Sequence, residues 1–240
     1  MTLLFLTLAA LGTAILSGIF GMAGGLVLMG VYTALLPVEA AMVLHGLTQL
    51  LANGLRAGLH ARQIDRRGLA LYALGAGLAW AILRVVAYVP DAKTVYLLLG
   101  ALPIAARLAP RSRWLTFAWA PAATLAGFLV AGLQMIAGVA GPVLDLFFLD
   151  RTLDRHAVVG TKAATQTLSH FLKIGFFYEM VPAGTIAPVT VGAVLVGAAV
   201  GTVIGTAILN RWSNEGFQTA SRWLVLGIGI VYLGWGLSMP

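Results

Sequence analysis

The stretch Gly21-Met22-Ala23-Gly24-Gly25 stands inside an apolar run, residues 3–36, that contains no charged side chain. Glycine lacks a Cβ, so it lets a backbone bend, or lets another group approach its N–H, at little steric cost. Three glycines in five residues point to a helix that breaks. At membrane depth such a break is tolerated only where protein buries it or where it lines a polar cavity. The competing reading is close helix packing through small residues. A second cluster, Gly138-Val139-Ala140-Gly141-Pro142, interrupts another over-long apolar run at 114–149, and this recurrence favours the break.

Composition places the chain in the membrane. Of its 240 residues, 60% are hydrophobic and 10% charged, with a mean hydropathy of +0.95; a soluble domain carries about 25% charged residues. No basic region precedes the first apolar run, so a secretory signal peptide is not expected. The chain has no cysteine and hence neither disulfide nor thiolate chemistry. It shows no histidine cluster with metal-ligand spacing, and no cofactor is expected. The net charge of +7 comes from scattered basic residues and reads as loop charge that sets topology. No basic run is long enough for a nucleic-acid partner.

A straight crossing needs about 20 residues. The run 3–36 is therefore either one broken element or a helix followed by a re-entrant segment. Further spans are expected at 38–59, 68–88, 93–106, 114–149, 157–178, 185–209 and 217–237. The fold expected is an all-α polytopic membrane protein of about eight transmembrane elements, with Gly-broken helices or re-entrant segments at 21–25 and 138–142. With eight crossings, loops 60–67, 107–113 and 179–184 share one side and carry six basic residues. The loops on the other side carry four. This places both termini on the cytoplasmic side.

A shift of 117 residues lays 19–58 onto 136–175 without a gap, with 11 identities in 40 positions. Gly21, Ala23 and Gly24 fall on Gly138, Ala140 and Gly141, and Thr48 and Gln49 on Thr165 and Gln166. The chain reads as two homologous four-element halves, 1–113 and 114–240. Transporters are often built this way, with the substrate held at the repeat interface near interrupted segments.

The polar residues obey the same symmetry. His45, Gln49, Asn53 and Arg56 fall within about 80° of one another on a helix, one face. Their partners under the shift are Lys162, Gln166, His170 and Lys173. Ionisable groups inside a span usually face a bundle interior or a water-filled cavity. Hydrogen-bond glue would explain Thr and Gln, but not two helices with basic groups and no acid on that face. Such a lining offers donors and positive charge, and the glycine breaks add backbone N–H groups and the positive ends of helices. Both favour a small, oxygen-rich anion. The candidate substrate-binding residues are Gly21, Gly24, Gly25, His45, Gln49, Asn53 and Arg56 in the first half. In the second they are Gly138, Gly141, Lys162, Thr165, Gln166, His170 and Lys173. Asp145 is either a proton site or the counter-ion of Lys162 or Lys173.

These motifs carry a resemblance. The Gly-x-x-Gly-Gly of the first span is followed by a polar span and a basic loop. The second half adds Gly138-Val139-Ala140-Gly141-Pro142-Val143-Leu144-Asp145 and Thr161-Lys162-Ala163-Ala164-Thr165-Gln166. Together they resemble the TauE/SafE family of sulfite exporters over nearly the whole chain. The resemblance implies a multi-pass carrier in the plasma membrane (the inner membrane of a bacterium), moving sulfite, sulfonates or related organosulfur anions, commonly outward. An anion channel, or a carrier for a different small anion, would share the basic lining. An intramembrane hydrolase would need a nucleophile with a base in reach, and Ser169 and His170, adjacent on one helix, point about 100° apart.

Overall fold

The structure is a computed structural model and describes residues 2–20, 23–110, 112, 114–149, 154–209 and 214–240. Gly21 and Met22 lie outside the described residues. The described residues form ten α-helices and no strand. These are α1 (Thr2–Phe20), α2 (Ala23–Leu35), α3 (Val38–Leu59), α4 (Arg66–Val86), α5 (Ala92–Leu108), α6 (Ala120–Ala137), α7 (Gly141–Leu146), α8 (Arg155–Phe177), α9 (Pro188–Leu209) and α10 (Asn214–Ser238). Helices alone satisfy every backbone group within their own segment, which a bilayer demands. α1, α4, α6 and α9 are long and apolar enough to cross a membrane. The chain is a multi-pass membrane protein, and side chains such as Leu74, Val85 and Val203 project from its outer surface.

Eight expected elements become ten helices because each over-long run is two helices that fold back on each other. In a continuous helix Gly24 would stand about 10 Å from Ser17 and about 16 Å from Thr13. Instead, a Cβ at Gly24 would lie 2.6 Å from the Ser17 nitrogen and closer still to the Thr13 carbonyl. The chain reverses before α2, and Gly24 needs to be glycine because α1 occupies its side-chain position. In the second half Gly138, at φ +77, ends α6 in a left-handed turn. The chain then returns far enough for the Phe117 N–H to donate to the Phe147 carbonyl at 2.8 Å.

Side-chain neighbours give the helix directions. Gly46 faces Lys173 and Ile174, Gly54 faces Thr167, and Gly160 faces His60, so α3 and α8 run antiparallel. Gly100 faces Gly229, and Gly236 faces Leu97, so α5 and α10 do too. Gly197, Gly201 and Gly205 on α9 meet Thr7, Leu11 and Ile15 on α1, and this pair is parallel. α4 and α6 are likewise parallel through Gly75, Gly127 and Gly132. Small residues let helix backbones approach closely where no hydrophobic effect drives association. When α1–α5 are matched in order with α6–α10, every one of these pairings maps onto another or onto itself. The matched helices α3 and α8 are antiparallel, so an axis exchanging them lies across the helices and not along them.

Tracing these directions corrects the expected topology. The ends of α3, α5, α7 and α9 and the starts of α4, α6, α8 and α10 share one face. Among the described residues the helix ends and connections at that face contain Arg62, Arg66, Arg67, Arg107 and Arg155, whereas the opposite end holds Arg84 and Lys93. Loops 150–156 and 210–216 thus join 60–67 instead of opposing it, and both termini lie at the opposite end. The physical cause is the reversal inside each over-long run, which adds one pass per half.

The parallel seams yield a test of packing. A Cβ at Gly201 would lie 2.8 Å from the Ala14 Cβ and closer to the Leu11 carbonyl, whereas Gly192 on the same helix has nothing within 4 Å. Gly201→Leu should cost about 1–3 kcal/mol, the usual range for overpacking, and lower the unfolding temperature in detergent by several degrees. Gly192→Leu should leave it unchanged.

Candidate functional site

The antiparallel pair α3 and α8 brings the two polar faces together around a cavity of about 490 Å³. One wall is polar: Gly25, His45, Thr48, Gln49, Asn53 and Arg56 from the first half, with Gln134, Gly141, Lys162, Gln166 and His170 from the second. The other wall is small and mostly apolar, with Ala10, Ala14 and Gly18 of α1 and Ala198 of α9. The lining takes residues 45–56 of α3 and 158–170 of α8, so the cavity extends from beside His45 towards the arginine-rich face.

Four candidate residues stand apart from the lining. Gly24 packs on α1. The Thr165 hydroxyl donates to the Lys162 carbonyl at 2.9 Å and is fully buried. Lys173 lies behind His45, and Gly138 offers its carbonyl to Lys173. Gly21 lies outside the described residues. The sequence reading missed Gln134, which is buried against His170. Under the 117-residue shift it falls on Ser17, another lining residue, and that coincidence of polar residues in two apolar runs was the available signal.

A hydrogen-bonded chain closes the inner end. His45 Nε2 lies 3.0 Å from the Gly25 carbonyl, and its Nδ1 lies 2.8 Å from Lys173 Nζ. A carbonyl can only accept, so Nε2 carries the proton and Nδ1 accepts from Lys173. Lys173 also donates to the Gly138 carbonyl at 3.0 Å. The two breaks therefore point carbonyls at basic side chains, a role different from the N–H donors expected for them. Beside this chain the His170 ring lies 5.5 Å from that of His45. The Gln134 amide nitrogen sits 2.8 and 2.9 Å from the His170 ring nitrogens.

Towards the mouth, Asn53 donates to the Gln49 carbonyl at 3.0 Å, and Arg56 donates to the Asn53 amide oxygen at 3.3 Å. Lys162 pairs with Asp145, which makes Asp145 the counter-ion of a lining cation. Among the described residues neither Arg56 nor Lys173 has an acidic partner. A cation such as Arg56, held in the cavity wall without a counter-charge, makes the cavity attractive to an anion.

Ser169 faces away from this lining and shares a 2.6 Å hydrogen bond with the Tyr72 hydroxyl of α4. Tyr72→Phe and Ser169→Ala should each cost about 1 kcal/mol of stability. The double variant should cost less than their sum, because both remove one bond. Anion affinity should not change in any of the three; thermal unfolding and ligand titration measure both.

The family profile "Sulfite exporter TauE/SafE" matches residues 6–232. No curated protein and no solved structure matches the chain. The profile match begins within α1, ends within α10 and takes in every lining residue named above. The chain therefore belongs to the sulfite exporter TauE/SafE family, whose members are membrane transporters of sulfite- and sulfonate-type anions and not enzymes.

Proposed function

We propose that the protein is a secondary carrier that binds one sulfite, sulfonate or related small organosulfur anion in this cavity and exports it across the plasma membrane. The observation that carries this reading is the convergence of Lys162, of Arg56, which has no acidic partner among the described residues, and of the paired amides Gln49 and Gln166 on one enclosed space. A size of about 490 Å³ falls in the usual range for small-ligand sites. The α1–α9 wall, built of small residues with the hydroxyls of Thr13, Ser17 and Thr202 among them, leaves room for the organic part of a sulfonate.

The helix pairing supports a chain built from two inverted halves, 1–113 and 114–240, that close alternately on the substrate. Basic loops mark the cytoplasmic side, and five arginines against two basic residues among those described support that side for the face towards which the cavity extends. An exporter loads there. Both termini then lie outside the cytoplasm.

Counterflow in proteoliposomes with sulfite, sulfate, thiosulfate, sulfoacetate and chloride tests the function. Saturable, trans-stimulated flux of a sulfur anion is expected; unsaturable flux, or flux of chloride alone, would refute the carrier. A hydrogen bond to a charged ligand contributes about 1.5–3 kcal/mol. Gln49→Leu and Gln166→Leu should therefore each weaken binding by about 10- to 150-fold, with coupling beyond roughly 0.5 kcal/mol in the double variant. Lys162→Met should weaken it further, because it removes a charge. If all affinities are unchanged, the anion binds elsewhere.

Topology can be read separately, because the chain has no cysteine of its own. In right-side-out vesicles a membrane-impermeant maleimide should label Gly184→Cys and spare Gln63→Cys. The reverse pattern would invert the orientation and with it the direction of loading.

A further inference from the structure

Lys173 is fully buried, yet it is not part of the cavity wall. Its surroundings are unusual for a lysine. From α3 it faces His45; from the end of α6 it faces the Gly138 carbonyl. On α4 the Tyr72 hydroxyl is already bonded to Ser169, one turn from Lys173 along α8. Glu179, in the turn after α8, pairs with Arg84. His170, on the same helix, is bonded to Gln134. Among the described residues no carboxylate reaches Lys173.

Two acceptors surround Nζ, and an uncharged amine has two N–H groups, whereas an ammonium has three. The empty carrier therefore satisfies this amine without a charge. An anion in the cavity changes the balance. It sits on the far side of the His45 ring and supplies the negative charge that the protein withholds from Lys173. Resting on the anion site proposed above, we infer that Lys173 is a proton-binding site filled together with the anion, with His45 as the group between it and the cavity. The step balances simply: a hydronium ion in the cavity loses one O–H bond and becomes water, and its proton forms a third N–H bond at the Nζ lone pair. The carrier then moves anion and proton together, which lowers the negative charge of the load by one. Lys173 acts through His45 and is a positioning residue, not a ligand.

The test uses the full chain in detergent with sulfoacetate and thiosulfate, whose charges do not change near neutral pH. Binding heats measured in Tris and in HEPES should differ by one proton taken up per anion. Affinity should rise by up to about tenfold for each unit fall in pH across the range where the site titrates. In Lys173→Met both effects should vanish and binding should weaken. Lys173→Arg, a cation that does not titrate, should bind with no proton uptake and no pH dependence, and it guards against a folding defect in Lys173→Met. Equal wild-type heats in the two buffers, with binding intact, would overturn the proton site and leave the anion site standing. Uptake that persists in Lys173→Met and Lys173→Arg but is lost in His45→Gln or His170→Gln would overturn it in favour of a histidine. Absence of binding by the wild-type protein to either anion would overturn the anion site and this inference with it.

Discussion

A single hydrogen-bonded chain joins the two irregular parts of the backbone: the Gly25 carbonyl, His45, Lys173 and the Gly138 carbonyl. The two breaks differ: Gly138 ends α6 and frees its carbonyl, whereas Gly25 stands in the first turn of α2, where the groups without intrahelical partners are N–H. Here a side chain from α8 satisfies the Gly138 carbonyl, a side chain from α3 bonds the Gly25 carbonyl, and those two side chains bond to each other. The breaks, the α3–α8 pair and the inner end of the cavity therefore depend on one another. Removing one member of the chain leaves a buried polar group on its neighbour, at a cost of the order of 1–3 kcal/mol.

Around this centre the other helices serve as insulation. α3 and α8 are too polar on one face to meet lipid on all sides; α4, α6 and α9 pack against them with apolar surfaces, and α1 packs in turn on α9. Packing through Gly197, Gly201 and Gly205 on one side and Gly75 and Gly127 on the other brings backbones close. That closeness gives van der Waals contact where lipid offers no hydrophobic drive. The polar site is thus held by two glycine seams, one of which, through Ala14 and Gly18, also forms part of the cavity wall.

The matched positions are not in matched environments. Arg56 and Lys173 correspond under the 117-residue shift, yet Arg56 lines the cavity while Lys173 is sealed behind His45. His45 and Lys162 also correspond; one ends the buried chain and the other pairs with Asp145. In the proposed transport cycle this asymmetry is what one state with a single accessible side requires. The two halves need only exchange environments to present the site to the other face.

Much of this was legible in the residues themselves. Hydropathy placed the chain in a bilayer, and glycine clustering marked both interruptions. The 3.6-residue period put His45, Gln49, Asn53 and Arg56 on one face, and the internal repeat paired that face with Lys162, Gln166 and His170. These are local or periodic properties, carried by side-chain type and spacing. Periodicity says which residues share a face but not how far each reaches, so it did not separate Lys173 and Thr165 from the lining or reveal Gln134. Nor could composition tell a bent helix from one that folds back, because both need the same glycines. Only the packing of Gly24 on α1, and of Phe117 against Phe147, decides between them, and with that reversal goes the side on which every later loop lies. Direction and depth are set by contacts between residues far apart in the chain, and those exist only once the helices have packed.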